Sequence, residues 1–145
     1  MSTKELQAAI VDNMHRWQKI ENASVASTGR VIEATDNPVV RLIMEVIQRD
    51  SQFHYRVQEL IADSLTSKTL TLNPDELEKI WTMIDDHIKL EKKTVELAAD
   101  AIDKLKGKKM IVQEYLLYYL LEDEQKHNHV LESLEMIKKG MYPYA

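Results

Sequence analysis

The run Glu122-Asp123-Glu124-Gln125-Lys126-His127 sets a Glu and a His three residues apart, inside an apolar pattern of helical period. Residues three apart share a helix face, so Glu124 and His127 can address one point. Half a chain earlier, Asp50-Ser51-Gln52-Phe53-His54 carries the same pattern, with Ser51 where the Glu would stand. Each run follows a helical segment with a Glu near its middle, Glu21 before the first and Glu91 before the second. Carboxylates and imidazoles that meet inside a four-helix bundle are the raw material of a two-metal site.

Working outward, the periodicity predicts four helices. The first covers about Thr3 to Ala34, with the stripe Ile10, Met14, Trp17, Glu21, Ser24, Thr28, Val31, and ends at Asp36-Asn37-Pro38. The second starts at Pro38, a favourable first-turn residue, and its stripe reads Ile43, Ile47, Asp50, His54, Val57, Ile61 before fading near Leu65. A connector over about 67–73 alternates like an extended segment. Asn73-Pro74-Asp75-Glu76 then reads as a helix start. The third helix carries Ile80, Ile84, His87, Glu91, Val95, Ala98, Ile102 and stops at Gly107. The fourth carries Tyr115 to Leu121, Glu124, His127, Leu131 and Leu134, and stops at Gly140. Met141-Tyr142-Pro143-Tyr144 is expected on the surface or against a neighbour. Aligning Glu21 with Glu91 and His54 with His127 superposes further residues, including Asp50 on Asp123. The expectation is therefore one all-α domain over 1–145, an antiparallel four-helix bundle made of two repeated αα-hairpins, about 3–66 and about 74–139.

Composition narrows the function. Gly and Pro number 3 each, which favours long helices. A net charge of −5 argues against a nucleic-acid binder. The basic cluster Lys104 to Lys109 fits a helix C-terminus. The absence of Cys removes disulfides, thiolate catalysis and iron–sulfur ligation. No segment approaches the roughly 18 apolar residues of a membrane helix, and no signal peptide is visible. The expected setting is cytoplasmic, with no membrane partner.

Glu21, His54, Glu91, Glu124 and His127 all fall on apolar stripes, where an ionised side chain is costly unless paired or bound to a cation. Within each predicted hairpin they lie level. Glu21 and His54 flank a midpoint at Asn37-Pro38, and Glu91 and Glu124 flank one at Gly107-Lys108. Asp123 is placed to accept an imidazole N–H, that of the opposite hairpin being one candidate, and Asp50 stands in the matching position. His87 lies one turn from Glu91 as an accessory group. Mixed carboxylate and imidazole ligands suit iron or manganese, and zinc is compatible. The same residues also admit a metal-free hydrogen-bonded core or, with a different helix face inward, plain exposure to solvent. Trp17, Trp81 and Tyr115, Tyr118 and Tyr119 read as packing residues, and His15 and His129 as surface histidines.

A Glu, a Glu-x-x-His element, a second Glu and a second Glu-x-x-His resemble the ferritin-like di-iron carboxylate superfamily, and 122–127 resembles its rubrerythrin-type members most. The resemblance implies a ferritin-like bundle with Glu21 and Glu91 as terminal carboxylates. Glu124 would bridge the metals, and His54 and His127 would cap one each. It implies an oxidoreductase of rubrerythrin or ferroxidase type, acting on oxygen, peroxide or ferrous ion, with an external electron donor and a homodimeric assembly. Ser51 departs from the pattern and leaves five ligands for six. Asp50 swung inward or His87 would make up the difference; otherwise the site holds one iron, holds two weakly, or has lost redox competence. The rival reading is a non-catalytic bundle with a reduced or lost metal site, acting as a dimerisation or partner-binding module.

Overall fold

The computed structural model describes residues 1–141. Among them the chain is all-α, with four helices and no strand: α1 (Thr3–Ala34), α2 (Pro38–Thr66), α3 (Pro74–Leu105) and α4 (Ile111–Lys138). The tail beyond Met141, expected on the surface or against a neighbour, lies outside the described residues. No helix among the described residues is long and apolar enough to cross a membrane.

Local chemistry sets the helix ends. Ser2 and Glu5 form a reciprocal capping box at the start of α1. Asn37 Oδ1 accepts from the Val39 and Val40 N–H groups at 3.0 and 3.2 Å, ahead of Pro38 in the first turn. Asn73 does the same for Asp75 N–H at 2.9 Å. After α3 the backbone turns left-handed at Gly107 (φ 73) and again at Lys109 (φ 54), a strained conformation for a residue with a Cβ. The turn is complete there, so α4 begins at Ile111, a turn before the apolar pattern that opens at Tyr115. Residues 68–73 have no regular structure, where the alternation predicted an extended segment.

The chain divides into two compact units, Met1–Leu70 and a second beginning at Thr71, each made of two helices. In the first, Val25 O accepts from Gln48 Nε2 (3.1 Å), Ser24 meets Ser51 (2.8 Å) and Glu21 meets Gln58 (3.0 Å). Residue numbers fall along α2 as they rise along α1, so the two helices run in opposite directions. In the second, Glu91 meets His127 while Glu78 near the start of α3 meets Lys138 at the end of α4, the same opposed sense.

The two interfaces differ in kind. Met14, Gln18, Glu21 and Thr28 of α1 are buried with Ser51, Gln58 and Ala62 of α2, a seam of small and polar groups. In the second unit Leu77, Ile88, Ala98 and Ile102 are buried with Glu91. A buried Leu or Ile side chain contributes about 1.5–3 kcal/mol, against about 0.5–1.5 kcal/mol for a hydrogen bond. The α3–α4 pair is therefore held by apolar burial and the α1–α2 pair largely by specific polar contacts.

This corrects the predicted faces. On α2 the inward row is Gln48, Ser51, Tyr55, Gln58, Ala62, one residue on from the predicted stripe, so Ile47, Val57 and Ile61 are 41%, 43% and 38% exposed. On α1, Gln18 is buried where Trp17, expected to pack, is 48% exposed. On α3 the row runs through Leu77, Trp81, Ile84, Ile88 and Glu91, which leaves Ile80 and His87 outside. Tyr115 and Tyr118 are also exposed. Within its unit, a helix presents its partner with an arc narrower than its whole apolar face. The apolar majority of α2 thus lies beside the seam, open to solvent.

Candidate metal centre

Glu91 sits mid-way along α3, 8% exposed, at a position of the buried row flanked by Ile88 and Ala98. Opposite it, α4 supplies Glu124 and His127 from one face. One ligand atom from each of Glu91, Glu124 and His127 falls in a group whose members lie within 4.8 Å of one another. His127 Nδ1 is 3.4 Å from Glu91 Oε2 and 3.4 Å from Glu124 Oε2. Its other nitrogen, Nε2, lies 3.5 Å from Asp123 Oδ2. Asp123 is thus placed to hold a proton on Nε2, which would free Nδ1 as a ligand atom when a cation is bound. Asp123 lies beside the imidazole of its own helix.

His87 Nε2 contacts Glu91 Oε1 at 2.8 Å. This bond, one turn away on α3, fixes the orientation of the carboxylate and engages one of its oxygens. The other oxygen, Oε2, is buried and has no hydrogen-bond partner while both carboxyls are ionised. It can be satisfied by a proton shared with Glu124 or by a cation. The carboxyl of Glu91 is held below the ordinary carboxylate range, chiefly by a hydrogen bond with the Glu124 carboxyl, then by the charge of His127 and by hydrogen bonds with His87 and His127; burial works the other way. Glu124 and His127 are partly open, at 25% and 43% side-chain exposure, so the cluster is reachable from solvent. Beside it Glu124 borders an apolar hollow formed with Leu97, Leu117 and Leu120.

In the first unit Glu21, 6% exposed, is met by His54 Nδ1 at 3.4 Å. His54 itself is exposed, on the shoulder of α2, and so is Asp50. Ser51, where the second bridging carboxylate would stand, is buried and donates its hydroxyl to Ser24 Oγ at 2.8 Å. Gln58, absent from the predicted set, is 3% exposed and donates Nε2–H to Glu21 Oε1 at 3.0 Å. Its signal is a row of small and polar residues at helical spacing, Gln48, Ser51, Gln58 and Ala62, facing Gln18, Glu21 and Thr28. Apolar periodicity passes over such a row. His15 and His129 are exposed, as the sequence predicts.

The donor chemistry of the second unit fits a transition metal. Two carboxylate oxygens and an imidazole nitrogen make a hard-to-borderline set suited to iron, manganese or zinc, with positions left for water or substrate. The buried oxygen without a donor is a place where positive charge is wanted. Comparison with family models, with curated proteins and with solved structures found no match.

Proposed function

We propose that this chain is a metal-binding helical protein whose second unit holds a divalent transition-metal ion, iron or manganese, through Glu91, Glu124 and His127. The observation that carries the reading is Glu91 Oε2, buried and without a hydrogen bond, beside a second carboxylate and an imidazole nitrogen. A core that keeps two carboxylates together with an unanswered oxygen is unfavourable by itself, and a cation removes the penalty. Asp123 orients His127, and His87 orients Glu91 by its bond to Oε1. Ion binding would displace any proton shared by Glu91 and Glu124, so affinity would rise with pH through the acid range.

The activity we propose follows the likeness to rubrerythrin-type proteins: reduction of oxygen or peroxide, with electrons either from an external donor or from ferrous ion, which is oxidised. Bound iron or manganese would supply the electron transfer at its open positions. Partial exposure of Glu124 and His127 supports access for a small oxidant. The site is tested by anaerobic titration of the full chain with ferrous iron, manganese or cobalt(II), followed by metal analysis of the separated protein. Retention of metal by the wild type and its loss in His127→Ala are expected. No metal in the wild type, or an unchanged content in both His127→Ala and Glu124→Ala, would remove the assignment.

A further inference from the structure

We infer that the first unit contains a hydrogen-bonded substitute for a metal, so that this chain binds one ion, in its second unit. The inference rests on the proposed metal site of α3 and α4 and asks what the matching residues of α1 and α2 do instead. Glu21 corresponds to Glu91 and His54 to His127, and each carboxylate has the imidazole Nδ1 of the facing helix at 3.4 Å. Trp17 stands in α1 where α3 has His87, and on α2 the two changes that bear on the pair are Ser51 for Glu124 and Gln58 for Leu131. Both changes act in the same direction.

Ser51 removes the third ligand. Its hydroxyl is occupied by Ser24 at 2.8 Å, and the residue is 5% exposed. Glu21 and His54 then offer two donors, one short of the three protein ligands that hold a catalytic metal. Gln58 fills the vacant role. Its amide N–H reaches Glu21 Oε1 at 3.0 Å, and it leaves its own Oε1 without a donor. Turning the amide over would set oxygen against carboxylate, so the nitrogen belongs where it is. The amide gives Glu21 what Glu91 Oε2 lacks, a fixed donor inside the protein. Asp50, the counterpart of Asp123, is exposed and does not complete a ligand set.

Cobalt(II) serves as the probe, since it is redox-stable and its visible bands report ligation. The full chain is titrated anaerobically, metal is measured after gel filtration, and circular dichroism verifies the fold. The wild type should bind one ion, and Glu124→Ala none. Ser51→Glu with Gln58→Leu rebuilds the second unit's pattern and should bind two. Gln58→Glu changes only an amide to a carboxylate and should also add an ion, so it decides the matter if the double variant does not fold. Two ions in the wild type, or folded variants of both kinds that gain none, would overturn the inference. No ion in the wild type with one in either variant would sustain the hydrogen-bonded substitute in the first unit but refute the proposed site on α3 and α4, and with it the count of one.

Discussion

Glu124→Gln should have opposite effects with and without metal. In the metal-free protein with both carboxyls ionised, Glu91 Oε2 is buried with no donor and faces a second carboxylate. A glutamine amide at 124 is nearly isosteric, removes one negative charge and can donate to that oxygen, as Gln58 donates to Glu21 at 3.0 Å. An unanswered buried acceptor costs about 1–3 kcal/mol. Part of this is already relieved by partial exposure of Glu124, so a gain of about 1–2 kcal/mol is expected, or roughly 5–10 °C in the melting temperature of a unit of this size. With metal the order reverses. At free metal a hundred times its dissociation constant, the wild type gains about 2.7 kcal/mol, and a variant that cannot bind gains nothing. The assay is thermal unfolding followed by circular dichroism, for both proteins, with chelator and with added cobalt(II) or manganese. A variant that melts well below the wild type in chelator would show that Oε2 is not wanting a donor. A variant with the full metal-induced shift would show that Glu124 is not a ligand.

Asp123→Asn keeps the shape beside His127 Nε2 but removes the charge that favours a proton there, so metal affinity should fall about 10- to 100-fold with little change in the metal-free melt; equal affinity in a cobalt(II) titration would remove the orienting role. The lowered Glu91 carboxyl has a defined pH signature. Its folded value lies below its unfolded one, so the stability it contributes is complete above the unfolded value near 4.5 and disappears as pH falls through the folded value. Denaturant unfolding of the metal-free protein should therefore weaken below about pH 4.5, and Glu91→Gln should flatten that part of the profile; an unaltered acid slope in the variant would contradict it. Lys138, 17% exposed, contacts Glu78 at 2.8 Å and lies 5.1 Å over the Trp81 ring. Lys138→Met should cost about 1 kcal/mol by urea unfolding, less at high salt, and no loss at low salt would mean that the pair is idle.

The helix limits were legible because they rest on local chemistry. Asn37-Pro38 and Asn73-Pro74 each supply a side-chain acceptor and a residue with fixed φ, and Gly107 and Gly140 take positive φ where α3 and α4 end. Glu91, Glu124 and His127 were legible because one turn of spacing on α4 and equal distance from the Gly107 turn leave little freedom for where they meet. The face of α2 was not legible. Apolar residues mark the side of a helix that is buried in the end, and the α1 seam instead takes Ser51, Gln58 and Ala62, whose small size or hydrogen bonding lets two backbones approach. A row of that kind has no hydropathy signal, so the sequence pointed to Ile47 and Val57 instead, and His54 was placed deeper than its 56% side-chain exposure.

Two carboxylates at matching positions thus receive different answers to the same electrostatic problem. A buried carboxylate requires donors for both oxygens or a nearby positive charge. Glu21 has the Gln58 amide and the edge of His54 on one oxygen, Oε1, both from the chain itself, and neither of its oxygens is buried without a partner. Glu91 has His87 on one oxygen, while the groups nearest the other are the His127 imidazole at 3.4 Å and a second carboxylate. A chain folding for stability alone would put an amide at 124 as it does at 58. Glu124 at that place is what the proposed site requires: a cation between the two carboxylates would answer the oxygen that only a shared proton answers otherwise. The comparison needs no relative. It is internal to one molecule, with the first unit as the control for the second.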